Sequence, residues 1–193
     1  MIKRNFLSLI VASLLIMSCT NNDQFIVEKG KVGLITTETT VKELGNIFEN
    51  DSIVTQLSEG ALGDNYFQDD DKYLIYEKGG KHLLTIVPKE QLDSTSTIKS
   101  IQIFDPRFST KSGISLNSSF EDINVNNKIT KVETSLTSAT LFIDDLNVTI
   151  SLDKADLGLK NFSTQKISLE QIPGLAKVKS FGLINQNISE FNF

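Results

Sequence analysis

One series of local signals occurs twice in this chain, in the same order, and it restricts the fold more than any other feature. In the first occurrence Val32-Gly33-Leu34-Ile35 reads as a strand. Thr40-Val41-Lys42-Glu43 then has capping-box spacing, in which Thr40 caps the Glu43 amide and the Glu43 side chain answers back. The spacing predicts a short helix over residues 41–48 with Val41, Leu44, Ile47 and Phe48 on one face. Residues 52–57 follow as a strand. Residues 72–77 and 81–87 are two more, joined at Gly79-Gly80, a pair that accepts the positive φ of a tight hairpin turn. Pro88 closes the second of these, and residues 97–104 complete the series.

After a connector, Asp105-Pro106-Arg107-Phe108-Ser109-Thr110, the series restarts. Gly113-Ile114 leads into Ser119-Phe120-Glu121-Asp122, again a cap with an acid three residues on, and Ile123 takes the place of Leu44. Residues 128–134 read as a strand. Residues 139–143 and 146–152 form a hairpin around Asp144-Asp145, and Leu146, Val148, Ile150 and Leu152 alternate with Asn147, Thr149 and Ser151 as a half-buried strand requires. Ser168-Leu169-Glu170-Gln171 is a turn of helix before Pro173-Gly174, and residues 176–184 are the last strand. Gly33 and Gly113 are 80 apart, Thr40 and Ser119 79, the two hairpin turns 65, and Ile98-Lys99-Ser100-Ile101 and Val178-Lys179-Ser180-Phe181 again 80. Offsets that agree at the ends and dip in the middle describe two similar units with extra length in different places. The first carries it before its hairpin, at residues 60–71, and the second after its hairpin, between Asp153 and Pro173.

The expected fold class is therefore α+β, mostly antiparallel β. Two tandem pseudo-repeats (strand, short helix, strand, hairpin, strand) occupy residues 31–105 and 112–186 of one compact domain over residues 31–186. The expected flanks are a signal peptide over residues 1–18, a lipidated residue and tether over 19–30, and a tail over 187–193.

The leader rests on residues 6–19, FLSLIVASLLIMSC, preceded by Lys3 and Arg4 and followed by Thr20-Asn21-Asn22-Asp23. A basic start, a short apolar run and a small residue before a cut site make a secretory signal. The run is shorter than the ~20 residues that span a bilayer. It ends on the only cysteine, Cys19, so no disulfide forms within the chain. Removing residues 1–18 takes away Lys3 and Arg4 and no acid, and the formal net charge falls from −5 to −7. That balance argues against nucleic acid and against charge-driven binding to anionic headgroups.

Ile16-Met17-Ser18-Cys19 resembles the lipobox of bacterial lipoproteins, with Ser18 as the small residue and Ile16 where leucine is usual. The resemblance implies a diacylglycerol thioether on Cys19, with palmitate among the acyl chains, and a membrane anchor. Thr20 does not match an enterobacterial inner-membrane retention signal, so the outer membrane is the expected site. Val32-Gly33-Leu34-Ile35-Thr36 with Thr39-Thr40-Val41 begins a second resemblance. Ile101-Gln102-Ile103-Phe104-Asp105, Thr110-Lys111-Ser112-Gly113 and Ser119-Phe120-Glu121-Asp122 complete it. The chain is similar over residues 32–152 to the enterobacterial outer-membrane lipoproteins controlled by the envelope-stress sigma factor. That resemblance implies a compact, strand-dominated domain and brings no catalytic residues.

The chemistry-bearing residues are few. His82 is the only histidine, and a His-based triad or zinc site needs partners that are not here. Alternation places it on the face of Leu84 and Ile86, as a histidine at a sheet rim. Asp69-Asp70-Asp71, with Asp64, offers hard oxygens to Ca²⁺ or forms a solvated loop tip, and its spacing is not an EF-hand's. Asp105 and Arg107 form either an anion-binding fork or a tie that holds the connector. Asp51-Ser52-Ile53 and Asp93-Ser94-Thr95 are similar to O-glycosylation acceptors of Bacteroidota, though motifs this short recur by chance. In residues 60–71 the aromatics Tyr66 and Phe67 stand among Asp69, Asp70 and Asp71, which makes this insert the candidate partner surface. The expectation is a non-catalytic envelope lipoprotein, a binding or structural module with no cofactor, held to the membrane through Cys19 and meeting an envelope protein. The alternatives are a small-ligand or Ca²⁺ binder using the insert, and, behind it, an envelope hydrolase.

Overall fold

The computed structural model describes residues 22–58, 70–158 and 166–185. The leader, Cys19, Tyr66, Phe67, Asp69 and the tail lie outside the described residues. The architecture is α+β and strand-dominated, with short helical segments. The first strands are β1 (Ile26–Glu28), β2 (Lys31–Val32) and β3 (Ile35–Thr36). Helix α1 (Leu44–Ile47) follows a 3-10 turn over Val41–Glu43, and then come β4 (Ser52–Gln56), β5 (Lys72–Tyr76), β6 (His82–Pro88) and β7 (Ile98–Ile103). β8 (Ser109–Thr110) opens the second half. It continues with α2 (Phe120–Asn126), β9 (Lys131–Thr134), β10 (Ser138–Ile143), β11 (Val148–Asp153), a 3-10 turn over Leu169–Gln171 and β12 (Val178–Ile184).

Eight strands form one sheet in the order β4-β5-β6-β7-β12-β11-β10-β9, every neighbouring pair antiparallel. Each half is a four-stranded meander, and the last strands of the two meanders pair. One face carries two apolar rows from strand to strand. Ile75, Leu84, Ile103, Phe181, Ile150, Leu141 and Val132 stand opposite one another in turn, as do Ile86, Ile101, Leu183, Val148 and Ile143. All but Val132 are buried. Burying each such side chain stabilises by about 1.5–3 kcal/mol, so these rows set the register, since a one-residue slip would turn a whole strand inside out.

Val27, Val32, Ile35, Leu44, Ile114, Phe120 and Ile123 complete the same core. The first three sit on a small sheet ordered β3-β2-β1-β8, in which β1 pairs antiparallel with β2 and parallel with β8. This overturns the tether expected over residues 19–30, because Val27 is fully buried and β1 lies between strands of both halves. It also divides the strand expected at Val32–Ile35. Gly33 takes a φ of +57° and turns the chain, and a Cβ there would lie 2.4 Å from the Gln24 carbonyl oxygen. The result is the β2–β3 hairpin with Leu34 at its tip.

The capping boxes form as their spacing predicts. The Glu43 carboxylate accepts from the Thr40 amide at 2.7 Å and hydroxyl at 2.5 Å, and Asp122 accepts from the Ser119 amide at 2.8 Å and hydroxyl at 2.7 Å. Smaller details recur at the same spacing. The Thr36 amide donates to Thr39 Oγ1 as the Ser115 amide donates to Ser118 Oγ, both at 3.0 Å. Val41 donates to Ser96 as Phe120 does to Ala176, and Lys42 to Ser94 as Glu121 does to Gly174. Isolated bridges join Thr40 to Thr97 and Ser119 to Lys177.

Candidate functional site

The connector Asp105–Phe108 carries a dense polar cluster. Asp105 follows β7 with no exposed surface. Its Oδ1 accepts from the Arg107 amide at 2.9 Å, and its Oδ2 accepts from Arg107 Nε at 2.8 Å, Nη2 at 2.5 Å and Lys81 Nζ at 3.0 Å. Arg107 Nη1 reaches Glu77 Oε1 at 2.9 Å. Burial alone would push the Asp105 carboxyl up. The hydrogen bonds from Arg107 and Lys81 outweigh it and hold the carboxyl at about 2. Asp105 and Glu77 push the guanidinium further up. Of the two readings of Asp105 and Arg107, the geometry is that of a tie. The fork is occupied by two carboxylates, the buried Asp105 and the part-exposed Glu77, and fastens the connector to the β5–β6 hairpin.

Beside this tie lies an aromatic groove of about 230 Å³, walled by Phe25, Phe48, Leu83 and Phe108, with Leu34 and Glu77 at its margin. The Phe25 and Phe108 rings meet edge to face at 5.1 Å, and the Arg107 guanidinium lies 4.4 Å from the Phe25 centroid, within cation–π range. The corresponding place in the second half holds a different groove, of about 380 Å³. There Asn126 and Asn127 stand where Ile47 and Phe48 stand in the first, and Lys29, Lys111 and Lys128 border it. The two grooves differ in chemistry although the elements around them match, and β1 runs between them.

His82 is on the opposite face from the one its alternation predicts. β6 advances two positions, from Leu84 to His82, where β5 advances only one, from Ile75 to Tyr76. This bulge buries Leu83 and Leu84 in succession and turns His82 to the outer face of the sheet. There its ring is stacked between Tyr76, at 4.7 Å, and Phe104, at 4.0 Å, and its Nε2 lies 3.1 Å from both the Leu84 carbonyl and Thr85 Oγ1.

Of the residues proposed as a partner surface, two are described, and the structure does not bring them together. Asp70 is exposed and pairs with Lys99 at 3.0 Å. Asp71 is a correction, because it is only 1% exposed and presents nothing to a partner. Its Oδ1 accepts from the Ser58 amide and hydroxyl at 2.7 and 2.9 Å, and its Oδ2 from the Leu92 amide at 2.6 Å. Burial opposes its ionisation, but these bonds prevail and its pKa is lowered. The Asp93 carboxylate of the second acceptor-like triplet is likewise engaged, by the Thr95 amide at 2.8 Å and hydroxyl at 2.7 Å. The aromatic groove was missed in the sequence because Phe25 lay in the expected tether. A phenylalanine there is costly to leave in water, and that was the available signal.

Among the described residues no helix is long and apolar enough to cross a membrane, and no three His, Cys, Asp or Glu side chains gather as a metal site would need. Fold and site together define a strand-rich α+β domain with a tied connector and two unlike grooves. No family description and no curated protein matches the chain. It is similar to the crystal structure of the uncharacterized protein YfeY from Escherichia coli. The TM-score is 0.49 at 14% identity, covering 83% of this chain and 99% of that one.

Proposed function

We propose that this chain is an outer-membrane lipoprotein whose folded part is a non-catalytic binding or structural module, built from two copies of one unit. The observation that supports it most is the position of the first element. The first described element, the 3-10 turn over Asn22–Phe25, lies three residues after Cys19 in the sequence, and β1, which follows it, is built into the core. A lipobox joined this closely to a domain suits a protein held against a membrane better than one released from it. The buried carboxylates of Asp71 and Asp105 are each spent on fastening the chain. That use supports a module that holds its shape rather than an envelope hydrolase with a free acid pair.

Binding of Ca²⁺ or a small ligand through residues 60–71 is the weaker reading, since Asp71 is committed to three backbone and hydroxyl donors and Asp70 to Lys99. The test of the main reading is palmitate labelling in cells with fractionation of the envelope. The wild type takes the label and sediments with the outer membrane, and Cys19→Ala takes none and accumulates as precursor. Maturation of Cys19→Ala to a soluble product would overturn it, and crosslinking of the anchored protein in intact envelopes would identify its partner.

A further inference from the structure

We infer that the β2–β3 hairpin tip and the aromatic groove beside it form the surface this domain lays against the lipid bilayer. The inference rests on Cys19 being the lipidated residue. Three peptide units separate Cys19 from Asn22, and fully extended they reach about 11 Å. The 3-10 turn over Asn22–Phe25 leads into β1, which turns back at Gly30 into the antiparallel β2 and so brings the hairpin tip beside Gln24. Gly33 packs so closely on Gln24 that a Cβ would collide with its carbonyl, and the Gly33 amide donates to Ile26 O at 2.8 Å. The hairpin tip is thus fixed beside the turn over Asn22–Phe25, and whatever holds Cys19 at a membrane holds this tip near it.

The tip has the chemistry for that position. Leu34 is 56% exposed at a turn, a place where an apolar side chain gains nothing from the fold. Its counterpart at the spacing of 80, Ile114, is buried. Behind Leu34 lie Phe25, Ile47 and Phe48, all partly buried and lining the same groove. Aromatic and leucine side chains are those that settle at the boundary between headgroups and acyl chains. The groove is lined by the acids Asp51 and Glu77, Asp23 is exposed beside Gln24, and the Arg107 guanidinium is paired with Asp105 and Glu77. The contact is therefore apolar and does not depend on anionic lipid.

The test uses the lipidated protein, in which the thioether leaves no free thiol, so that Leu34→Cys and Leu136→Cys each offer one site for an environment-sensitive fluorophore. Leu136 is 53% exposed, matching Leu34, and sits in the β9–β10 turn at the far end of the eight-stranded sheet. On phosphatidylcholine vesicles containing a nitroxide lipid, the label at 34 should be quenched several-fold more than the label at 136. Partial replacement by phosphatidylglycerol should not increase the quenching. Equal quenching at the two sites, or stronger quenching at 136, overturns the inference. So does shielding of the 34 label that grows with protein concentration in lipid-free protein produced from residue 20 onward, which gives the face to a second copy. The mass of the same samples separates the two claims. Absence of a diacylglycerol on Cys19 removes the lipoprotein reading, whereas its presence with equal quenching removes only the docking surface.

Discussion

Gln102 on β7 stands directly opposite Gly182 on β12, and eighty residues separate them in the chain. The pairs on either side cross over, with Ile103 facing Phe181 and Ile101 facing Leu183. A twofold axis relating the two meanders at a spacing of 80 would pass through the Gln102–Gly182 pair and produce this pattern. At that place the halves differ, with a glutamine in one and a glycine in the other. The Gly182 Cα lies so near its neighbour that a Cβ would be 2.7 Å from the Ile101 carbonyl oxygen. The obstacle is backbone at the centre of the sheet, which cannot give way without disturbing the pairing of β7 and β12.

Gly182→Ala should therefore lower stability by about 1–3 kcal/mol, the usual cost of overpacking a filled site. Gln102→Ala, at the matching position on an exposed face, should change it by less than about 0.5 kcal/mol. Urea unfolding of the two variants checks this. Equal effects would mean that the β7–β12 seam has room for the methyl group.

The Asp105 carboxyl gives the fold a dependence on acid. Its pKa is lowered from 3.8 to about 2, because the hydrogen bonds of Arg107 and Lys81 outweigh the burial that would raise it. A carboxyl lowered in the folded state contributes stability that is present in full above the unfolded value. That stability is lost as pH falls through the folded one. The contribution of about 2 kcal/mol should disappear between about pH 4 and pH 2. Asp105→Asn should be less stable at pH 7 and show a shallower loss across that window. Parallel curves for the wild type and this variant would place the acid sensitivity elsewhere.

What the sequence made legible follows the range of the interactions involved. The capping boxes at Thr40–Glu43 and Ser119–Asp122 and the alternation of Val148, Ile150 and Leu152 are local, and they formed where the spacing placed them. The Gly79-Gly80 turn also formed, with φ of 110° and 89°, although Glu77 bonds Lys81 around a three-residue loop instead of a two-residue one. The errors come from long-range contacts. Nothing beside His82 announces a bulge, which arises because both Leu83 and Leu84 find room in the core. Nothing near Ile26–Glu28 shows that β8, some eighty residues on, will pair with it. The two members of the connector tie, Asp105 and Arg107, are neighbours and were legible as a pair. Glu77 and Lys81, which complete it, reach it only through the fold of the hairpin.

Gly33 should be far less replaceable than its counterpart Gly113. Both have positive φ, at 57° and 87°, but only at Gly33 would a Cβ meet backbone, whereas at Gly113 it finds open space. Gly113→Ala should cost about 1–2 kcal/mol, the conformational term alone. Gly33→Ala adds the collision with Gln24 and should cost at least about 1 kcal/mol more. Thermal unfolding of the pair, followed by circular dichroism, decides it. Equal losses would show that the first turn at Asn22–Phe25 shifts freely to make room.

The insert at residues 60–71 should behave as two parts divided at Asp70. Asp71 closes the gap between Ser58 and the turn at Leu92, a residue held at φ 56° in the left-handed region. Without the carboxylate the Ser58 and Leu92 amides lose their acceptor, and an unsatisfied buried donor costs about 1–3 kcal/mol. A short Gly-Ser loop in place of residues 60–69 keeps Asp70 and Asp71. It should leave the melting temperature nearly unchanged while removing Tyr66, Phe67 and Asp69 from any partner. The same loop extended through residue 71 should unfold several degrees lower. Partner capture from crosslinked envelopes is then read on the shorter replacement, in which the fold is intact. Capture lost there assigns the partner surface to Tyr66 and its neighbours. Capture retained assigns it to another face, such as the groove bordered by Lys29, Lys111 and Lys128. A melting temperature that falls equally for both loops would mean that Asp71 is not the residue through which this segment supports the fold.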